Sequence, residues 1–138
     1  MQVLDRIRAR YHYWLGLAQR SQGNRSYGRL AYENAIGELT QAIAINPALA
    51  EAHLARGVVY WRELNDYERA VRDLSRALEL APSLADAYLN RALARVYGQI
   101  GAPAEAIADF ERYLELGHNG YWRMEAHNQI KRLRETEA

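Results

Sequence analysis

The residues of this chain best able to hold a metal or move a proton are His12, His53, His118 and His127, and their spacing argues against both roles. None has a second ligand one helical turn away on a shared face, as a zinc site on a helix requires. They read as surface or helix-packing histidines. The phosphate-cradling patterns G-x-x-x-x-G-K-[ST] and G-x-G-x-x-G are absent, and so is the nucleophile turn G-x-S-x-G. With no cysteine, neither disulfide nor thiol chemistry is open to the chain. Acids are plentiful, but they fall where helices need solvated faces. Glu68 to Arg72 and Glu111 to Glu115 follow helix surface spacing, mixing attractive and repulsive pairs. No catalytic residue, cofactor or metal is expected.

One other constellation could bind rather than react. In the segment SQGNRSYG, Ser21 to Gly28, the residue types Ser, Gln, Gly and Asn mark a loop. Arg20, Arg25 and Arg29 flank Tyr27 there, and basic residues interleaved with an aromatic can hold a phosphate or stack on a base. The plainer reading is a solvated connection whose Tyr27 packs onto its own unit. A net charge of +1 over 138 residues argues against a general polyanion binder. The charge is nonetheless uneven, with residues 1 to 32 at +5 and residues 33 to 130 at −5. Charges interrupt the N-terminal MQVLDRIRARYHYWLGL where a signal peptide needs an apolar core, and no run reaches the length of a membrane span. The default location is cytoplasmic, with no membrane partner.

The elements that would position any surface are legible from residues 50 to 82. Ala50 to about Glu63 places Ala52, Gly57, Tyr60 and Leu64 at helical spacing, and Asn65-Asp66 supplies an N-cap for a second helix from Tyr67 to Leu80. In that helix Ala70, Leu74, Ala77 and Leu78 share one face. Glu68, Arg69, Arg72, Asp73, Arg76 and Glu79 populate the other. So short a turn makes the two helices antiparallel, and Gly57, Ala70 and Ala77 let their backbones approach.

The pattern recurs at about 35 residues. Ala50-Glu51-Ala52-His53-Leu54 and Arg56 pair with Ala85-Asp86-Ala87-Tyr88-Leu89 and Arg91. Tyr32, Glu33, Ala35, Ile36, Leu39, Ala42, Ile45 and Pro47 pair with Tyr67, Glu68, Ala70, Val71, Leu74, Ala77, Leu80 and Pro82, and Ala106, Ile107, Phe110 and Leu116 continue the series. Three helix pairs are therefore predicted in one domain: about 3–47 with an insertion at 21–28, about 48–82, and about 83–117. In the first helix Leu4, Ile7, Tyr11, Leu15 and Ala18 form the expected packing face. A seventh helix, about 119–135, carries Trp122, Ala126, Ile130 and Leu133 on one stripe and caps the last pair.

Over residues 5 to 117 this arrangement resembles the tetratricopeptide repeat family, whose pattern runs aromatic, Leu-Gly, Tyr, then Ala, Phe and a closing Pro. Gly57, Tyr60, Ala70, Leu74, Ala77 and Pro82 stand in that order. His53 and Arg56 replace the aromatic and the leucine, Ala92 takes the place of the third glycine, and His118 stands where a proline belongs. The resemblance implies an all-α fold, a right-handed superhelical array of three antiparallel helix pairs plus a C-terminal capping helix.

It also implies a function in a concave groove lined by the first helix of each pair. The groove would receive Arg10, Tyr13, Trp14, Leu17 and Arg20, then Glu51, Leu54, Ala55, Val58, Trp61 and Arg62, then Asp86, Leu89, Asn90, Leu93 and Tyr97. Such a groove implies an adaptor that binds a peptide or amphipathic helix of another protein. Members that clamp a chaperone's C-terminal carboxylate use groove asparagines with basic neighbours. Here Asn90 alone stands at such a position, with Ala55 and Trp14 at the equivalents. An alternative is a structural module that forms a homo-oligomer through the apolar stripe. Third comes a nucleic-acid or phosphate binder using Arg6, Arg8, Arg10, Arg25 and Arg29.

Overall fold

A computed structural model describes residues 1–26 and 28–137. Its elements run α1 (Val3–Ser26), α2 (Arg29–Ile45), α3 (Ala50–Arg62), α4 (Tyr67–Leu80), α5 (Ala85–Gly98), α6 (Pro103–Leu116) and α7 (Gly120–Glu137), with no strand among the described residues. Each helix packs mainly on its chain neighbour, most closely within the pairs α1·α2, α3·α4 and α5·α6. The helices α1, α3 and α5 also touch in succession. The chain is an all-α solenoid of three helix pairs, and α7 closes its C-terminal end.

Close approach within each pair depends on a small residue at one position. A Cβ added to Gly57 would lie 2.8 Å from Leu74 Cγ and 3.3 Å from the Ala70 carbonyl oxygen. At Gly16 the corresponding distances are 2.7 Å to Leu39 Cγ and 3.3 Å to the Ala35 carbonyl oxygen. The fully buried Ala92 serves in the third pair. Between α3 and α4 the chain turns through Asn65, at φ 54°, and Asp66 then caps α4 by accepting the Arg69 N–H at 3.2 Å.

Polar side chains repeat with the same period. His53 Nε2 donates to the Pro47 carbonyl at 3.0 Å, and 35 residues on the Tyr88 hydroxyl donates to the Pro82 carbonyl at 2.9 Å. Arg56 grips Asp73 through two bonds of 2.7 Å and reaches Thr40 of the preceding pair at 3.1 Å. Arg91 grips Asp109 at 2.8 and 2.7 Å and reaches Ser75 at 3.2 Å, while Arg95 adds a third bond to Asp109 at 2.6 Å. Arg56 and Arg91 thus each hold their own pair together and tie it to the one before. Asp73, assigned from the sequence to the solvated face, is buried. Burial alone would raise its carboxyl, but the Arg56 and His53 beside it hold the group below the usual carboxylate range.

Two further expectations are corrected in α1. Residues 21–26 do not form a loop but continue the helix. Gly23 lies against the Tyr32 ring, where an added Cβ would stand 2.6 Å from Cε1, and the Tyr32 hydroxyl donates to Asn24 at 2.9 Å. Contact with α2 therefore outweighs the weak helix propensity of these residues. Tyr27 lies outside the described residues, and so does the packing expected of it.

The packing face of α1 is also not the stripe of Leu4, Ile7, Tyr11, Leu15 and Ala18. Ala9, Gly16 and Gly23, seven residues apart, face inward, whereas Leu4, Ile7, Tyr11 and Ala18 are exposed and Leu15 is half-buried. Small residues win that side because they let α2 approach. Large ones would hold it off.

At the other end α7 meets its expectation. Trp122, Ala126, Ile130 and Leu133 join Phe110, Tyr113 and Leu114 in one cluster. Arg123 fastens the junction by donating to the Leu114 carbonyl and, at 2.9 Å, to that of Gly117, so two α6 end carbonyls find a cation.

Candidate functional site: the groove of the first helices

The contacts of α1 with α3 and of α3 with α5 make these helices one continuous wall. Along it lies a cavity of about 300 Å³. Its lining comes from Tyr13, Leu17 and Arg20 of α1, from Glu51, Leu54, Ala55, Val58, Trp61 and Arg62 of α3, and from Asp86, Leu89, Asn90 and Leu93 of α5. Trp122 of α7 closes the far end. A second cavity of about 310 Å³ adjoins it, bounded by Trp61, Arg62, Leu93 and Tyr97 with Tyr121, Trp122 and Glu125 of α7.

Most residues that sequence spacing assigns to the groove therefore lie together. Arg10 and Trp14 do not line either cavity. Trp14 is 61% exposed and meets Tyr13 edge-on, with centroids 5.2 Å apart. Trp14 sits about a quarter-turn round α1 from Tyr13, whereas Arg10 shares the side of Tyr13 and Leu17 but is exposed outside the lining. Trp122, Tyr121 and Glu125 were absent from the groove expected of the sequence. The amphipathic stripe of α7 placed Trp122 toward the core. Only the angle at which α7 docks shows that its indole also borders the groove.

Apolar carbon makes the centre of the groove, and its polar groups are largely committed. Trp61 Nε1–H donates to Asn90 Oδ1 at 3.0 Å, and Asn90 Nδ2 donates to the Asp86 carbonyl oxygen at 2.8 Å. The Trp61 ring stacks on Tyr97 with centroids 5.8 Å apart and planes at 11°, and the Arg62 guanidinium lies 5.5 Å from the Trp61 ring centroid. Arg20 is bound to Glu63 at 3.1 and 3.3 Å. Burial, then the negative Glu51, pushes the Tyr13 phenol above its ordinary pKa despite the nearby Arg10, so the hydroxyl stays a neutral donor. Glu51 and Asp86 occupy matching positions in the first turns of α3 and α5, and neither has an ion pair among the described residues. Arg62 likewise has no ion pair among the described residues, so the uncommitted charges on this wall are two acids against one arginine.

Nothing here resembles a reaction centre. Among the described residues no cluster of three or more His, Asp or Glu could hold a metal ion. His12 pairs with Glu38 at 2.7 Å and His53 is buried in helix packing. No described helix is long and apolar enough to cross a membrane.

A family model described as TPR repeat matches residues 31–63 and 62–101, about half of the chain. Among solved structures, the first TPR of Spaghetti (RPAP3) bound to HSP90 peptide SRMEEVD is 27% identical with a TM-score of 0.71, covering 90% of this chain and 94% of that one. The Arabidopsis OM64 TPR domain is 28% identical with a TM-score of 0.69, covering 91% and 98%. The Yersinia enterocolitica type III secretion chaperone SycD, in complex with a peptide of the translocator YopD, shares the fold at 16% identity with a TM-score of 0.78, covering 94% of each chain. No curated protein sequence gives a significant match.

Proposed function

Because the chain belongs to the tetratricopeptide repeat family, a family of binding scaffolds and not of catalysts, we propose that it is an adaptor holding a peptide or helix of another protein in the groove of α1, α3 and α5. The observation that carries this is the apolar centre formed by Leu17, Leu54, Val58, Leu89 and Leu93 between Tyr13, Trp61 and Trp122. Such a surface takes the apolar side of an amphipathic segment, and a partly exposed tryptophan in its middle has the area and rigidity of a hot spot.

Similar domains bound to HSP90 and HSP70 peptides support peptide binding in general. Those peptides end in the acidic run EEVD. Glu51 and Asp86 would repel such a tail, and Asn90 already spends its amide on Trp61 and Asp86. The occupant proposed is accordingly apolar on one side, with a cation near those two acids.

A photo-crosslinking residue at position 54, used in native cell lysate and read by mass spectrometry, tests this. It should capture a defined segment of another protein. Trp61→Glu should abolish that capture while circular dichroism stays nearly unchanged. Capture unaffected by Trp61→Glu would remove the groove from the account. Capture of a second copy of this chain would replace the adaptor with a homo-oligomer.

A further inference from the structure

Of the two sides of α1, the one turned away from α2 carries Leu4, Ile7, Tyr11 and Trp14, each between 60 and 67% exposed. Ala18 follows, also exposed. Their separations are three, four, three and four residues. That alternation is the seam of a coiled coil, where every apolar knob points at a single neighbouring helix. No described helix covers it, and α2 and α3 take the other sides of α1. The seam is separate from the groove, which uses Tyr13 and Leu17 of the same helix.

The flanks say what fits. Arg8 and Arg10 occupy the positions on either side of the seam that meet a partner's flanking charges. Arg10 has no ion pair among the described residues, and Arg8 has only Asp5 at 3.8 Å, with its side chain 67% exposed. A second copy laid antiparallel against this seam would set arginine against arginine, and one laid parallel in register would face Arg8 with Val3 and Arg10 with Leu15, leaving the cations unpaired. From the seam and its flanks we infer that α1 docks one amphipathic helix of a different protein, with apolar residues at heptad spacing flanked by Asp or Glu. Opposite charges across the seam fix the choice of partner, and a second copy of this chain sets no acid opposite Arg8 or Arg10.

Two synthetic helical peptides test the inference on the full chain, both with leucine at the seam positions, one flanked by glutamate and one by lysine. Fluorescence anisotropy should show the glutamate peptide binding at least tenfold more tightly than the lysine peptide. The preference should shrink as salt rises. Ile7→Glu should weaken the glutamate peptide tenfold or more while leaving the melting temperature and the position-54 crosslink unchanged, which separates this surface from the groove. The double variant Arg8→Glu with Arg10→Glu should reverse the preference toward the lysine peptide. Equal binding of both peptides, or binding insensitive to Ile7→Glu, overturns the inference. So does a dimer in sedimentation that Ile7→Glu dissolves, and so does binding to phosphatidylserine vesicles but to neither peptide.

Discussion

The indole N–H of Trp61 donates to Asn90 Oδ1 at 3.0 Å, joining the second helix pair to the third across the wall of the groove. The bond orients the tryptophan that the groove presents, so its strength bears on both stability and binding. Asn90→Ala should cost about 1 kcal/mol, and a double-mutant cycle with Trp61→Phe should return a coupling of about 0.5–1.5 kcal/mol in urea denaturation. A coupling of zero would mean that the indole is positioned by its Tyr97 stack alone.

The buried pair of Arg56 and Asp73 should respond to both mutation and acid. Asp73→Ala leaves a largely buried guanidinium unpaired and should cost about 3–5 kcal/mol. The Asp73 carboxyl is depressed in the folded chain, so its contribution is full above the unfolded value of about 3.9 and is lost as pH falls through the lower folded value. Asp73→Asn should flatten the fall of urea midpoints below about pH 4. An acid limb identical to that of the parent chain would refute this assignment.

Glycine-to-alanine changes should have opposite signs at two positions. At Gly57 the new methyl would meet Leu74 Cγ at 2.8 Å, and overpacking should cost about 1–3 kcal/mol. Ala70→Leu, at the facing and fully buried position, should cost a similar amount. At Gly37, in the middle of α2, no atom stands within 4 Å of the added methyl. Gly37→Ala should therefore stabilise by about 0.5–1 kcal/mol through helix propensity. Thermal melts of the variants check all three signs.

Deleting residues 119–138 should expose Phe110, Tyr113 and Ile107, which α7 helps to bury. The truncated chain should aggregate, or melt at least several degrees lower. Equal solubility and an unchanged midpoint in light scattering and calorimetry would show α7 to be dispensable.

The helix pairs were legible in the sequence because their signals are local. Apolar spacing, the Asp66 cap and the recurrence of Ala50 to Arg56 at Ala85 to Arg91 need only neighbouring residues to be read. The groove was largely legible for the same reason, since residues three and four apart on α3 and α5 must share a side. What the sequence left open depended on competition between surfaces. Both sides of α1 are apolar, and periodicity alone favours the larger residues. Only the approach of α2 selects Ala9, Gly16 and Gly23 and leaves Leu4, Ile7, Tyr11 and Trp14 outside. Likewise Asp73 and Asp109 read as surface acids until Arg56 and Arg91 reach them across the pair, and Trp122 enters the groove only through the docking of α7. These outcomes are set by distances between elements remote in the chain, which local residue patterns do not encode.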